Sequence, residues 1–306
     1  MNERPGLQHQ PDRARVWLLA ARPKTLPAAA APVIVGTAVA VNEDVFSLWS
    51  ALAALLGALL LQIGTNLAND VFDFKRGADT KGRLGPLRVT QAGLLTPAQV
   101  LRGMWLTFGL AGLIGIYLAV VGGWLIILIG LLSITSAVAY TGGPFPLGYN
   151  GLGDLFVFIF FGLVAVCGTY YVQAGTLSPA AAWAAVPVGL LATAILVVNN
   201  LRDIETDRAT GKRTLAVRLG VRGARIEYLL LLGLAYLATG AMWLVGVTAS
   251  WVLLAWFSLF LAVPVVRLVL RNKGRVLNKA LAETARLELV YALLFSLGLI
   301  IDRFLL

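Results

Sequence analysis

Two short runs of the sequence place carboxylate and carboxamide side chains at helical spacing. In each run an Asn is followed four residues later by an Asp, as Asn69 and Asp73 in the first run and as Asn199 and Asp203 in the second, 130 residues apart. Side chains three or four residues apart lie on one face of an α-helix. The pair Asn66 and Asp70 has the same spacing, so the register of the first run is open. The pattern predicts two oxygen-rich helix faces.

Oxygen ligands without thiolate or imidazole indicate a divalent cation such as Mg²⁺ or, alternatively, Mn²⁺. The chain has one His, His9, and one Cys, Cys167, which excludes a multi-histidine site, a zinc–cysteine cluster and an internal disulfide framework. Carboxylates gathered at a membrane edge repel each other unless cations neutralise them. The predicted metal ligands are Asn69, Asp70, Asp73, Asp79, Asn200, Asp203 and Asp207.

Basic side chains close to both runs have the charge that a diphosphate needs. The predicted diphosphate-binding residues are Arg22, Lys24, Asn66, Lys75, Arg88, Arg208, Lys212 and Arg213. Ordinary interfacial ion pairs are the alternative for such acids, and we accept that interpretation for Glu205 and Glu227. Intramembrane acids also mark ion paths, so transport is a second alternative, although transport acids tend to lie nearer the midplane.

The composition predicts that membrane helices position these residues. Of 306 residues, 59% are hydrophobic and 13% are charged, with a mean hydropathy of +0.83. A soluble domain has about 25% charged residues. A spanning helix needs about 20 apolar residues, and the sequence predicts nine spans in an all-α bundle. They are 26–41, 48–74, 98–120, 124–141, 152–174, 180–206, 225–246, 249–270 and 287–306.

A topology with nine spans separates the basic residues by the side of the membrane on which they lie. It places 24 of the 25 Lys and Arg residues on one side, with Arg303 opposite. The positive-inside rule then predicts a cytoplasmic N-terminus. Topology explains the net charge of +10 without a nucleic-acid partner. A cleaved signal peptide ending near Ala38–Ala40 is a rival interpretation of the first span. We expect a single domain over 1–306, with 1–15 as a flexible tail.

Several runs resemble the UbiA superfamily of intramembrane aromatic prenyltransferases. They are Arg22–Pro27, Asn66–Thr80, Arg88–Gly93, Tyr140–Gly148, Gly151–Asp154, Gly168–Gln173 and Asn199–Gly220. The resemblance implies a UbiA-like helical bundle, Mg²⁺, a polyprenyl diphosphate substrate and an active site on the cytoplasmic side of the inner (plasma) membrane. Many members carry a third Asp where this chain has Gly77, which puts direct metal ligation by the nearby Asp79 in doubt.

Two of these runs, 140–154 and 211–220, resemble the branch of the superfamily that uses 1,4-dihydroxy-2-naphthoate. This implies transfer of the prenyl chain to that ring in menaquinone synthesis, with loss of diphosphate and CO₂. Hydroxybenzoate, homogentisate or chlorin acceptors are the alternatives. For catalysis we expect Tyr140 to stabilise the prenyl cation, or to be an interfacial tyrosine. We expect Asp154 to accept a proton, or to cap a helix.

Overall fold

Helices make up the architecture of the part of the chain that the structure, a computed structural model, describes: residues 12–79 and 82–305, which contain no strand. Most of the predicted flexible tail, residues 1–11 with His9, lies outside the described residues, as do positions 80 and 81. Residues 13–15 form the first turn of a helix.

Most helices follow each other closely, and the two long connections are residues 76–96 and 140–152. The bounds of the helices are α1 Arg13–Ala21, α2 Leu26–Asn42, α3 Leu48–Lys75, α4 Pro97–Gly122, α5 Trp124–Ala139, α6 Gly153–Val157, α7 Ala165–Ala174, α8 Pro179–Ala209, α9 Leu215–Leu244, α10 Leu259–Arg271 and α11 Leu277–Leu305. A π-helical segment, Phe158–Val164, joins α6 to α7, and a 3₁₀ segment, Ser250–Ser258, precedes α10.

The number of spans differs from the prediction of nine. In the described residues, eight continuous helical stretches are long and apolar enough to cross a membrane, and α5, with 16 residues, is shorter. The predicted first span extends back through α1, because α1 and α2 are separated only by a turn at Arg22. The spans predicted at 225–246 and 287–306 begin earlier, at Leu215 and within 274–277. A count of nine stays a prediction.

Local sequence signals fix several helix starts. Thr96 and Gln99 form a capping box before α4, and Pro97 occupies the first helical position, where no backbone N–H is needed. The hydroxyl of Ser178 accepts a hydrogen bond from the Ala180 amide before α8. The hydroxyl of Thr214 does the same for the Val217 amide before α9.

Two groups of buried apolar residues hold the bundle together. The larger joins α2, α7, α8, α9 and α11, and the smaller joins α1, α3 and α4. Small residues let the backbones approach closely, as expected for membrane helices. At Gly36 in α2, a Cβ atom would lie 2.5 Å from the carbonyl oxygen of Val166 in α7. The space that remains between the two groups is a cavity.

Candidate active site

One large cavity, ≈ 1180 Å³ in volume, runs between α2, α3, α4, α5, α8 and the 153–174 segment. Its polar end lies where α3 and α8 finish, and it is lined by Asn, Asp, Lys and Arg side chains. The rest is lined mainly by apolar side chains and glycines of α3, α4 and α5. The part of α3 that lines it, from Ala54 to Asp73, is about 28 Å long, close to the hydrocarbon thickness of a bilayer.

The structure brings the two predicted carboxylate faces together at the polar end. Both contribute to the cavity lining, and the members that do so are Asn66, Asn69, Asp73, Asn199, Asn200, Asp203 and Asp207. A single side chain joins the two faces: Nζ of Lys212 lies 3.5 Å from Oδ1 of Asp73 and 3.8 Å from Oδ1 of Asp207. Converging helix ends were the central expectation from the sequence.

Tyr149 is a site residue that the sequence analysis missed. Its hydroxyl donates a 2.7 Å hydrogen bond to Oδ1 of Asp73, and its ring lies beneath the Lys212 ammonium, 4.5 Å from the ring centroid. Burial and the adjacent Asp73 carboxylate raise the pKa of this hydroxyl above its ordinary value, so it stays a donor. Its place beside the noted 140–148 run was the only signal that could have found it.

Arg88, which is buried, and Arg22, which is half-buried, place donors without a hydrogen-bond partner at the polar end. Nη2 of Arg88 donates to Oδ2 of Asp73 at 2.8 Å. Nη1 of Arg88 and Nη2 of Arg22 are buried without a hydrogen-bond partner among the described residues. Arg22 has a φ of 52°, a left-handed conformation that is uncommon for a side chain with Cβ. The strained turn directs this arginine into the cavity lining.

Asp70 and Asp79 do not line the cavity, and their roles as metal ligands stay predictions. Asp70 accepts hydrogen bonds from the backbone amides of Val89 and Thr90, both at 3.1 Å, so it fixes the loop that carries Arg88. Asp79 pairs with Arg83 at 2.5 Å and lies 3.5 Å from Nε of Arg88. Asp79 therefore positions the guanidinium groups of Arg83 and Arg88, and Asp70 positions the loop that carries Arg88.

Three predicted diphosphate-binding residues also lie outside the cavity lining. Lys75 and Arg213 are exposed. Arg208 pairs with Glu205 at 3.3 Å, the ordinary ion pair expected for that acid. Glu227 forms no such pair with any described residue. The predicted residues that do line the polar end are Arg22, Lys24, Asn66, Arg88 and Lys212.

Tyr140 and Asp154 lie close together but differ in access. Tyr140 lines the cavity, and its hydroxyl packs against Gly153 at the start of α6. Asp154 is buried outside the lining, and its role as a proton acceptor stays a prediction. The Asp154 side chain does not cap α6, because this helix begins one residue earlier, at Gly153.

Arg202 is a second residue absent from the predicted site. It is buried, and its guanidinium pairs with Asp203 at 2.5 Å and donates to Oδ1 of Asn199 and of Asn278. The Asn278 amide donates in turn to the carbonyl of Leu84. Arg202 therefore orients the second carboxylate face against α11.

The donor set fits a metal ion whose coordination is completed by water or by phosphate oxygens. Among the described residues, no three acidic side chains are gathered closely enough to hold an ion by themselves. Asp73, Asp203 and Asp207 nevertheless line one space, together with guanidinium groups whose buried N–H donors lack partners. Oxygen ligands from the protein, completed by phosphate oxygens, are typical of Mg²⁺ sites.

An all-helical bundle with a carboxylate- and cation-lined cavity inside its spans defines a membrane-embedded enzyme that handles an anionic lipid. The model of the UbiA prenyltransferase family matches residues 29–290. The chain therefore belongs to the UbiA prenyltransferase family, and it is an aromatic prenyltransferase. The sequence-based prediction of this family is confirmed.

Relatives and solved structures agree with this membership. The chain is 42% identical to the 1,4-dihydroxy-2-naphthoate octaprenyltransferase of Escherichia coli (strain K12), over 97% of this chain and 98% of that protein. It is 41% identical to the enzyme of the same name from Mycobacterium tuberculosis, over 90% and 94%.

Two solved structures share the fold. The apo UbiA homologue from Aeropyrum pernix K1 aligns with a TM-score of 0.68 and 18% identity, over 90% of this chain and 97% of that chain. The UbiA homologue from Archaeoglobus fulgidus bound to DMAPP and Mg²⁺ aligns with a TM-score of 0.61 and 14% identity, over 92% and 99%.

Proposed function

We propose that this protein transfers a polyprenyl group from a polyprenyl diphosphate to 1,4-dihydroxy-2-naphthoate, releasing diphosphate and CO₂ and giving a demethylmenaquinol, the reduced form of a demethylmenaquinone. The observation that carries the proposal is the joining of two environments in one cavity, a carboxylate- and cation-lined end and a long apolar passage. Those environments match the diphosphate and the chain of one lipid. The names of the relatives favour the naphthoate over hydroxybenzoate, homogentisate or chlorin acceptors.

The diphosphate would lie at the polar end. Arg22, Lys24, Arg88 and Lys212 supply positive charge there. Nη1 of Arg88 and Nη2 of Arg22 make no hydrogen bond to a described residue, and Nη2 of Arg22 lies 4.0 Å from Oδ2 of Asp70. Mg²⁺, with Mn²⁺ as the alternative, would be held by Asn69, Asp73, Asn200, Asp203 and Asp207. When bound, the metal neutralises the diphosphate and stabilises the charge that develops on the leaving group.

The reaction needs one bond to form and two to break. The allylic C–O bond breaks with its electron pair on the diphosphate, and the ring carbon that carries the carboxylate forms the new C–C bond. The bond to the carboxylate then breaks and returns its electron pair to the ring, so CO₂ leaves without a net proton. The ring of Tyr140 lines the cavity and offers a face for the developing prenyl cation.

The charge distribution supports a cytoplasmic polar end. Nearly all Lys and Arg residues fall on one side of the predicted topology, and the polar end contains several of them. We place the protein in the inner (plasma) membrane, with diphosphate released to the cytoplasm. Both substrates would enter an otherwise lipid-embedded single domain.

The test is product identification. Membranes that contain the protein are incubated with octaprenyl diphosphate, Mg²⁺ and each candidate acceptor in turn, and the lipid product is identified by mass. We expect a prenylated naphthoquinol lacking the carboxylate, and none after EDTA treatment or with Asp203→Asn. A product from hydroxybenzoate or homogentisate alone would refute the acceptor, and no product from any acceptor would refute the function.

A further inference from the structure

The backbone around Lys212 holds this residue firmly between α8 and α9. Gly211, at φ 77°, reverses the chain after α8. The Lys212 amide then donates to the carbonyl of Asp207 at 2.9 Å, and the Arg213 amide donates to the carbonyl of Tyr149 at 2.8 Å. The Lys212 side chain is only 16% exposed. The turn therefore places the Lys212 ammonium group at a fixed position between α3 and α8.

That ammonium is shared by carboxylates of both helices. Asp73 belongs to α3 and Asp207 to α8, and each has an oxygen within 4.0 Å of Nζ of Lys212. Without a cation between them, the two carboxylates would repel across a largely buried space. Lys212 thus lies where the proposed function requires a metal-bound diphosphate.

We propose that Lys212 is a positioning residue that substitutes for the metal before substrate binds: it holds Asp73 and Asp207 at working separation and leaves them when the metal–diphosphate enters. This inference rests on the proposed function, because it takes the two aspartates as metal ligands. It goes further by assigning Lys212 a role in the substrate-free protein. The residue competes with metal instead of only binding phosphate.

The Tyr149 ring, which already lies under the ammonium, would continue to stabilise it after it leaves the carboxylates. A lysine over an aromatic face is stabilised by the ring quadrupole. Lysine is a compact charge on a flexible stem, so it can leave the carboxylates without leaving the polar end. A diphosphate oxygen would then be its new partner.

Metal affinity without prenyl diphosphate tests the proposal. The full chain in detergent is compared with Lys212→Gln and with Arg286→Gln, a control that removes one positive charge at an exposed ion pair. Thermal unfolding is recorded in EDTA and during titration with Mg²⁺ alone. We expect Lys212→Gln to unfold at a temperature lower by about 2–4 °C in EDTA. We also expect half-saturation at about tenfold less Mg²⁺, because the competitor is gone.

Lys212→Arg is the second variant, which keeps a cation at the site. A guanidinium pairs with carboxylates more strongly than an ammonium does. It should restore stability in EDTA and raise the Mg²⁺ concentration needed for half-saturation above that of the wild type. This opposite shift in metal affinity is not expected of a residue that contributes only packing.

Equal Mg²⁺ half-saturation in the wild type and Lys212→Gln, or weaker binding by the variant, would overturn the inference. So would a stability loss in EDTA no larger than that of Arg286→Gln. The product assay and the Mg²⁺ titration can have different outcomes. If Lys212→Gln binds Mg²⁺ more tightly but the protein makes no prenylated product, this inference stands and the proposed function is refuted.

Discussion

Neighbouring carboxylates on one helix do different work in this site. Asp73 faces the cavity and contacts Arg88, Lys212 and Tyr149. Asp70, three residues earlier, is turned to the backbone of the loop at 89–90. Asp73 is therefore available to a ligand, whereas Asp70 stabilises the fold, although both residues are aspartates and both are buried.

Asp70→Asn should destabilise the protein. The amide nitrogen of Asn would face a backbone N–H, leaving a buried donor unpaired at a cost of about 1–3 kcal/mol. We expect a lower unfolding temperature in detergent and lower activity, because the loop carries Arg88. Glu205→Gln, at an exposed ion pair, is the control. Unchanged stability of Asp70→Asn would contradict the anchoring role.

Tyr149→Phe should lower kcat/KM about tenfold or more, because a hydrogen bond to a charged group contributes about 1.5–3 kcal/mol. The pKa of Tyr149 is raised, so its hydroxyl stays protonated as the pH rises through the ordinary value of about 10. The wild-type to variant activity ratio should therefore be constant from about pH 7 to pH 9.5. Tyr117→Phe, an exposed tyrosine of α4, should match the wild type, whereas a ratio that falls within this window would contradict the assignment.

Helical spacing predicted the oxygen-rich faces, but it could not decide which members meet the cavity. Asn66–Asp70 and Asn69–Asp73 have the same spacing, and the choice depends on a loop that packs on α3 some 20 residues later. Tyr149 lies 76 residues from its Asp73 partner. Contacts over such separations leave no periodic trace in the sequence.

At the scale of elements, one close crossing sets the cavity wall. Gly162 of the π-helical segment packs on Gly189 of α8, and a Cβ at Gly162 would lie 2.7 Å from Cα of Gly189 and 2.8 Å from the carbonyl oxygen of Ala185. Backbone atoms cannot withdraw as a flexible side chain can. The crossing therefore requires glycine.

Gly162→Ala should cost about 1–3 kcal/mol of stability through overpacking. Gly233→Ala in α9 is the matched control, since no atom lies within 4 Å of its added Cβ, and alanine is the better helix former. We expect the first variant to unfold at a lower temperature in detergent and the second at the same or a higher one. A wild-type unfolding temperature for Gly162→Ala would show that α8 can move aside.

Hydropathy located most spans, because continuous apolar stretches are easy to recognise. The predicted first span, 26–41, is too short to cross a membrane without part of Val16–Ala21, and the structure does join α1 to α2 in one stretch, but the predicted beginnings of α9 and α11 are too late. Both of those helices start with charged turns beyond the apolar stretch. Nothing in the composition of 158–164 predicted a π-helix.

At the scale of the whole molecule, the cavity length should control which prenyl chains react. Gly130 of α5 lines the cavity, and nothing lies within 4 Å of its added Cβ. Gly130→Phe should fill the passage, lowering kcat/KM for octaprenyl diphosphate about tenfold or more while leaving geranyl diphosphate nearly unaffected. Competition between the two substrates, read by product mass, measures the change.

Gly233→Phe in α9, outside the cavity lining, is the control and should keep the wild-type ratio of the two products. Equal losses with short and long substrates in Gly130→Phe would mean that the chain does not follow this passage. The sequence could not locate this apolar passage, because it depends on how α3, α4 and α5 are arranged.

The π-helical segment has a consequence for how this protein tolerates length changes. A π turn holds one more residue than an α turn, and each added residue rotates the remainder of the helix by about 100°. Gly168, Thr169 and Val172, which lie beyond it in α7, line the cavity. Deleting a single residue within Phe158–Val164 would restore a regular helix and swing this wall away from the passage, so the extra residue acts as a register spacer.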